Sequence, residues 1–266
     1  MSEREGRALR RQEMAVKRST VFSGCDTDGK RYRTQHAMWS AELMAEGGVQ
    51  KRSELEWYRK AKDYWKTQEA TVDGMLGGHG NLSNLDIETS TSFLKSLPDM
   101  DFCGAALDVG AGIGRVSKNL LLPLFRCVDM LEADANYLKQ SETYVADERL
   151  EKRICCPMED FMPEKGRYSV IWIQWCIIYL TDGDFGKFVR ACAEAVAPGG
   201  YVCIKDNVCS KGFVVDKSDS SVTRSESYLK GLLDDAGVTI VKSISQKGFP
   251  KELFPVKMYA LRLTSA

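Results

Sequence analysis

The sequence predicts an α/β fold in which a mostly parallel sheet of seven strands carries helices on both faces. Two observations predict it. From residue 105 onward, short apolar runs alternate with amphipathic helical segments, an order typical of an open parallel sheet wound on both sides. The first of these runs also leads directly into a glycine-rich turn, and sheets of this type bind their ligands at such strand ends.

The seven predicted strands coincide with the apolar runs, whose many branched residues indicate burial on both faces. They cover residues 105–109, 126–132, 153–156, 169–174, 201–205, 239–245 and 256–263. Helices are predicted between them at residues 114–122, 136–145, 183–196 and 226–236. Because no helical segment separates the last two strands, we expect an antiparallel edge on the sheet.

The region before the sheet is predicted to form a helical lid over residues 54–98. An aromatic helical pattern covers residues 54–66, and a glycine-dense loop follows at 71–80. Asp86 is placed as a cap or near-cap for a helix that runs through Leu97. Residues 1–53 are polar and basic without a sustained period. We therefore expect a flexible or weakly helical extension there, followed by one domain over residues 54–266.

The composition is that of an ordinary globular protein. Lys+Arg and Asp+Glu number 37 each, which gives a formal net charge of zero and no expectation of broad affinity for nucleic acid or membranes. No apolar run reaches the roughly 18 residues that would span a bilayer, and the N-terminus lacks the apolar segment of a secretion signal. An intracellular protein is expected. Nine cysteines occur without a Cys-x-x-Cys pair, beside two histidines, so free thiols and no metal site are expected.

The most informative motif is the glycine-rich turn, where residues 108–115 read Asp-Val-Gly-Ala-Gly-Ile-Gly-Arg. Gly110 and Gly112 permit positive φ and a close approach of the backbone to a ligand. Glu132 ends the next apolar run about twenty residues further on, where a carboxylate can accept hydrogen bonds from a ribose diol. A purely structural turn is the alternative, but this spacing favours a nucleoside-containing cofactor.

The spacing also bears on which cofactor binds. The turn has Gly-x-Gly-x-Gly rather than the dinucleotide pattern Gly-x-Gly-x-x-Gly. Asp108 at its head would repel a pyrophosphate and suits a zwitterionic ligand with positive charge. S-adenosylmethionine is such a ligand, and Arg115 could hold its carboxylate as a bidentate fork. A solvated helix residue is the alternative for Arg115.

Taken together, these motifs resemble the class I S-adenosylmethionine-dependent methyltransferases. More narrowly they resemble the protein α-N-terminal methyltransferases, which modify the free amino group of X-Pro-Lys or X-Pro-Arg N-termini. The resemblance lies in residues 64–66, 71–78, 107–115, 120–125, 170–175, 204–207 and 219–222. Ile-Gln-Trp at 173–175 and the Lys-Asp-Asn segment at 205–207 are specific to this branch, and the match runs from about Trp57 to Leu263. It implies a Rossmann-like fold, S-adenosyl-L-methionine as cofactor with S-adenosyl-L-homocysteine as product, protein N-terminal tails as partners, and a location in nucleus or cytoplasm.

The resemblance also implies cofactor contacts. Met158 and Glu159 would border the adenine, Gln174 would contact the cofactor, and Trp65 in the lid would cover the methionine end. A packing role is the ordinary alternative for each aromatic residue. The cofactor residues predicted in this way and from the turn are Gly110, Gly112, Arg115, Glu132, Met158, Glu159, Gln174 and Trp65.

On the substrate side, the resemblance implies that Asp219 faces the amine and removes its proton. It also implies that Asn207 binds the backbone at the substrate's N-terminus. Trp175 would pack on the substrate's first residues, and Asp216 would be in reach of a positive third residue. Because the two carboxylates are three residues apart, a helical turn would place both on one side; a helix cap is the alternative for Asp219. The catalytic set is Asp219, Asn207 and Tyr179, and the substrate set is Trp175, Asn207, Asp216, Asp219, Leu76, Leu82, Tyr64, Glu252 and Phe254.

Two positions depart from the family pattern. Tyr179 stands where the family usually has a histidine proposed to assist proton removal, and a phenol with a pKa near 10 is a poor base at neutral pH. Phe254 replaces a usual tyrosine of the substrate channel. Two other functions therefore remain open: a methyltransferase for a small amine, and a catalytically silent homologue that only binds the cofactor.

Overall fold

The structure is a computed structural model that describes residues 20–43 and 50–264, with the backbone alone described for residues 50–53. Within these residues the strands are β1 Gly24–Asp26, β2 Arg31–Tyr32, β3 Ala105–Val109, β4 Cys127–Glu132, β5 Leu150–Cys155, β6 Tyr168–Gln174, β7 Val196–Asn207, β8 Phe213–Asp216, β9 Ser221–Arg224, β10 Val238–Ser245 and β11 Val256–Leu263. The α-helices are α1 Gln35–Leu43, α2 Gln50–Lys66, α3 Val72–Met75, α4 Ser83–Lys95, α5 Ala135–Tyr144, α6 Asp182–Ala195 and α7 Glu226–Asp235.

The main sheet has seven strands in the order β10-β11-β7-β6-β3-β4-β5. Strands β3 to β7 run parallel to their neighbours, whereas β11 is antiparallel to both β7 and β10. This confirms the predicted fold, including the antiparallel edge. All seven predicted strands are present, with ends that differ by a few residues from the predicted ones.

The central strands are covered on both faces. Every residue of β3 and β6 is buried, and alternate side chains enter two separate apolar cores. Leu107 and Ile171 pack into one core with α6 and α7. Trp172 packs into the other, with α4 and the segment after the glycine-rich turn. Because burial on both faces leaves no solvated side, the strands are continuous apolar runs.

A second sheet joins the N-terminal segment of the described chain to the β8–β9 hairpin, in the order β2-β1-β8-β9. Strand β1 pairs in parallel with β8, with Gly24 opposite Phe213, and Trp39 of α1 donates a hydrogen bond from Nε1 to Asp182 at 2.8 Å. The prediction of a flexible or weakly helical extension up to residue 53 is therefore wrong for strands β1 and β2 and misses the packing of α1, while residues 50–53 belong to the start of α2. Strands of three and two residues are too short to leave a period in the sequence, and they depend on the edge that β8 offers. The rest of that prediction, at residues 1–19 and 44–49, lies outside the described residues.

Three local predictions also need correction. The segment after the glycine-rich turn starts as α-helix at Arg115 and continues as a π-helical turn over Ser117–Leu121. Asp86 is not the cap of α4, because Leu82 precedes the helix and Asp86 is buried in its first turn. The turn that carries Asp219 is not helical: it joins β8 to β9 as an antiparallel hairpin.

Candidate active site

A cavity of about 590 Å³ opens at the carboxyl ends of the parallel strands, between the main sheet, α2 and the β8–β9 hairpin. The predicted site residues that line it are Tyr64, Trp65, Leu76, Leu82, Gly110, Gly112, Arg115, Glu132, Met158, Glu159, Gln174, Trp175, Tyr179, Asn207, Asp216, Asp219 and Phe254. Glu252 is exposed and outside this lining, because its side chain leaves the loop before β11 toward solvent. The volume is typical of a site for one cofactor and part of a second ligand.

The glycine-rich turn brings its backbone to the cavity wall. Gly110 and Gly112 have φ of 64° and 56°, which favour glycine over residues with a Cβ. A Cβ on Gly110 would lie 2.6 Å from Cys176 Cβ, and one on Gly112 would lie 2.6 Å from Met75 Sδ. The turn thus packs against Cys176 and Met75 more closely than a residue with a Cβ could.

Two carboxylates beside this turn, those of Glu132 and Asp108, accept hydrogen bonds from different backbone amides. Glu132 Oε2 accepts a hydrogen bond from the Gly112 amide at 2.8 Å, and burial raises the pKa of its carboxyl group. Asp108 accepts hydrogen bonds from the Ser117 amide and hydroxyl at 2.8 and 2.7 Å, while burial raises its pKa to about 7. Its carboxylate therefore stabilises the segment after the turn. Both bonds go to Oδ2, and Asp108 also lines the cavity.

Beside the turn, Arg115 belongs to a buried polar network that the sequence analysis missed. Its guanidinium contacts Asp86 at 2.8 Å with both side chains nearly inaccessible, which excludes the alternative of a solvated helix residue. Gln174 donates to both oxygens of Asp86 at 3.0 Å and accepts from Trp172 Nε1 at 2.9 Å. Lys205 contacts the same carboxylate at 2.5 Å. No sequence signal links these residues, since they are distant in the chain and only the fold brings them together.

Trp175 follows the end of β6 in a left-handed conformation, with φ of 53°. Such a backbone costs on the order of 1–3 kcal/mol for a residue other than glycine and is concentrated at functional sites. The ring lies 6.5 Å from the Phe249 ring, and the Arg115 guanidinium is 5.7 Å from its centroid. Trp175 is half-buried, whereas Trp172 is a core residue, as predicted.

Asp216 and Asp219, the acidic residues of the β8–β9 hairpin, line the cavity on the side away from the glycine-rich turn. Tyr179 donates a hydrogen bond from its hydroxyl to Asp219 Oδ2 at 3.0 Å, and the Ser221 amide donates to Asp219 Oδ1 at 3.0 Å. Burial raises the pKa of Asp219; Asp216 adds to this effect, and the bonds from Ser221 and Tyr179 oppose it. Burial also raises the pKa of Tyr179 well above its ordinary value. Tyr179 is therefore a neutral donor to an acidic partner.

Helix α2 closes the remaining side of the cavity. Tyr137 of α5 donates from its hydroxyl to the carbonyl of Trp65, and Lys62 lies 3.3 Å from Glu159. The Trp65 ring meets Tyr179 edge-on, with centroids 6.2 Å apart. The cavity therefore has a wall of helix and glycine-rich loop. Thr27, in the turn between β1 and β2, also lines it, although nothing in the sequence pointed to that residue.

Within the described part of the chain, no group of three or more His, Cys, Asp or Glu side chains is arranged to hold a metal ion. In the same residues, no helix combines the length and apolar character that crossing a membrane requires.

A Rossmann-like sheet with a glycine cradle, a carboxylate one strand away and a buried arginine defines the class of S-adenosylmethionine-dependent methyltransferases. Within that class the chain belongs to the family described as AdoMet dependent proline di-methyltransferase, whose model matches residues 53–262. A solved S-adenosylmethionine-dependent methyltransferase from Leishmania major superimposes with a TM-score of 0.86 at 43% identity, covering 93% of this chain and 99% of that one.

Two curated relatives are similar over most of their length. Alpha N-terminal protein methyltransferase 1 of Arabidopsis thaliana is 42% identical over 90% of this chain and 90% of its own. N-terminal Xaa-Pro-Lys N-methyltransferase 1 of Homo sapiens is 43% identical over 79% of this chain and 96% of its own. The protein is thus a methyltransferase that uses S-adenosylmethionine.

Proposed function

We propose that this enzyme methylates the free α-amino group of protein N-termini that begin X-Pro-Lys or X-Pro-Arg, in the nucleus or cytoplasm. The observation that carries the proposal is the pair Tyr179 and Asp219, joined at 3.0 Å in the cavity wall, with Asp216 on the same hairpin lining the same cavity. An acidic end favours a cationic amine and a basic side chain over a neutral substrate. The names of the relatives from Arabidopsis and human support the same substrate class.

The residues around the glycine-rich turn fit S-adenosylmethionine. Gly110 and Gly112 line the cavity with backbone of positive φ, so no side chain projects from them toward a ligand. Glu132 is placed to hold a ribose diol, and Arg115 to hold a carboxylate. When bound, the cofactor supplies an electrophilic methyl group on a sulfonium.

Asp219 would remove the proton that blocks the reaction. An α-amino group has a pKa of about 7.7–8.0 and is mostly protonated at neutral pH, whereas methyl transfer needs its lone pair. Burial raises the pKa of Asp219, so the carboxylate is a stronger base than an exposed aspartate. The Tyr179 hydroxyl holds that carboxylate in place, and its raised pKa keeps it protonated. In this arrangement Tyr179 orients the base instead of replacing it.

The remaining residues would position the peptide. Asn207, at the end of β7, would bind the backbone at the N-terminus, and the strained Trp175 would place its ring against the proline. Asp216 would face the basic third residue. These residues would hold the amine in line with the methyl group, and a loss of alignment of about 1 Å can cost 10²-fold in rate.

The test is intact-mass analysis of the peptide Ser-Pro-Lys-Arg after incubation with enzyme and S-adenosylmethionine, beside an N-acetylated copy. One to three methyl groups on the free peptide alone are expected. Methylation of both copies would move the reaction away from the α-amino group. If the cofactor binds and neither peptide gains mass, the small-amine and silent-homologue alternatives replace the proposal, and a panel of amines separates them.

A further inference from the structure

The buried network of Asp86, Arg115, Gln174 and Lys205 contains two cations and one carboxylate. Asp86 Oδ2 lies 2.8 Å from Arg115 Nη2, and Asp86 Oδ1 lies 2.5 Å from Lys205 Nζ. The Lys205 and Asp86 side chains are both 0% exposed. A single negative charge is therefore shared between two positive charges in the interior.

The other contacts of Lys205 are neutral. Its ammonium donates to Ser90 Oγ at 2.9 Å, Gln246 Oε1 at 2.8 Å and the Asp86 carbonyl at 3.1 Å. Arg115 has one further contact, to Ser83 Oγ at 3.3 Å. Within residues 20–43 and 50–264, no second carboxylate forms an ion pair with either cation. The ion pairs of the cluster consequently set two cations against one carboxylate, which is costly in a protein interior. Asp108, whose pKa burial raises to about 7, interacts with Arg115 only through space.

The two cations differ in what they can reach. Arg115 lines the cavity beside the glycine-rich turn, whereas Lys205 lies beneath it on β7 and is absent from the cavity wall. With Asp86 and Arg115 alone, the pair would be neutral, and Arg115 would attract an anion weakly. Because Lys205 occupies the other oxygen of Asp86, part of the positive charge of Arg115 stays unmatched on the side that faces the cavity.

We infer that Lys205 is a positioning residue that tunes Arg115 to select the carboxylate of the cofactor's methionine end. The bound carboxylate would bring the cluster to neutrality without touching Lys205. This inference rests on the proposed placement of that carboxylate at Arg115. A lysine that merely ties α4 to β7 would stabilise the fold without affecting which ligand binds.

Calorimetric titration of two ligands separates these roles: S-adenosylhomocysteine and its decarboxylated analogue, which differ only in the carboxylate. The wild type should bind S-adenosylhomocysteine at least about tenfold more tightly. Lys205→Met and Lys205→Gln should lose most of that preference by weakening the binding of S-adenosylhomocysteine alone. Lys205→Arg, which keeps the positive charge, should keep the preference for S-adenosylhomocysteine. Ser90→Ala is the matched control, since it removes a contact of Lys205 and no charge, and it should keep the preference.

The possible results distinguish the placement of the cofactor carboxylate at Arg115 from the role of Lys205. A wild type without preference for the carboxylate overturns its placement at Arg115 and this inference with it. A wild type with the preference, together with a Lys205→Gln variant that retains it, overturns only the inference about Lys205. Equal weakening of both ligands assigns Lys205 to the fold alone and also overturns it. Should Lys205→Met not fold, Lys205→Gln carries the test, since it keeps a hydrogen-bond donor toward Asp86.

Discussion

The two ends of the cavity are built in different ways. At the cofactor end, the glycine-rich turn and Glu132 lie on adjacent strands of the main sheet and are separated by one crossover. At the peptide end, Asp216 and Asp219 lie on a hairpin whose second support is β1, almost two hundred residues earlier in the chain. That strand lies outside the stretch matched by the family model. The cofactor end is therefore a local motif, and the peptide end is a long-range assembly.

This difference suggests that the two ends can be disabled separately. A change at the hairpin should affect turnover and peptide binding, whereas a change at the turn should affect the cofactor. The polar network of Asp86, Gln174 and Lys205 lies between them, and Gln174 precedes Trp175. Five substitutions test how far the separation holds.

The largest effect is expected for Asp219→Asn. The amide keeps the shape of the side chain but cannot accept the proton of the amine, so kcat should fall by about 10²- to 10⁴-fold. The affinity for S-adenosylhomocysteine should stay unchanged, because Asp219 and the glycine-rich turn share no contact. Steady-state kinetics with the Ser-Pro-Lys-Arg peptide and calorimetry of the product measure the two quantities. Asp216→Asn is the control, which should raise KM for the peptide instead. Full activity of Asp219→Asn would remove its assigned role.

The same contrast determines what could be predicted from the sequence. The glycine-rich turn and Glu132 were accessible because a short motif and a fixed spacing encode them. The central strands of the main sheet, such as β3 and β6, were accessible because burial on both faces makes them apolar runs; the edge strands β5 and β10 also carry exposed side chains. The pairing of β1 with β8 was not, since it depends on which edge a three-residue segment meets. The network of Asp86, Arg115 and Lys205 was missed for a similar reason: a buried aspartate early in a helix looks in sequence like a cap.

Gly112→Val should break the cofactor end. The residue has φ of 56°, where a side chain costs roughly 1–2 kcal/mol, and its Cβ would lie 2.6 Å from Met75 Sδ. We expect the affinity for S-adenosylhomocysteine, measured by titration calorimetry, to fall at least about tenfold, because the valine would displace Met75, which lines the same cavity. Gly166→Val is the matched control, since Gly166 has φ of 73° and open space around it. A similar loss of affinity in the control would mean that backbone strain alone, and not the cavity, is responsible.

Gly24→Val tests whether the N-terminal segment supports the peptide end. A Cβ at this position would lie 2.3 Å from the Phe213 carbonyl oxygen, so a valine should push β1 away from β8. We expect KM for the peptide to rise by up to about tenfold through misplacement of the hairpin, with cofactor affinity unchanged. Gly231→Ala, on α7 with no atom within 4 Å of the added Cβ, is the glycine control. An unchanged KM would show that the hairpin keeps its position without β1.

The smallest effect is expected for Tyr179→Phe, and it decides whether the departure from the family histidine matters. The variant removes the 3.0 Å hydrogen bond to Asp219. In the wild type this bond lowers the pKa of the Asp219 carboxyl group, whereas burial raises it. Since Asp219 must be ionised to accept a proton, the acidic limb of the kcat/KM profile should move to higher pH when this bond, worth about 1 kcal/mol, is lost. Near neutral pH the rate should change only a few-fold.

Tyr179→His completes this comparison, because an imidazole can itself accept a proton near neutral pH. If proton removal limits turnover, Tyr179→His should raise kcat, whereas Tyr179→Phe should move the acidic limb of the kcat/KM profile to higher pH. If both variants keep the wild-type pH profile, Tyr179 does not hold the base. If histidine lowers kcat while phenylalanine behaves as expected, the site depends on a neutral donor at this position. In that case Asp219 is the sole base at the peptide end, and it requires the Tyr179 hydroxyl as a hydrogen-bond donor.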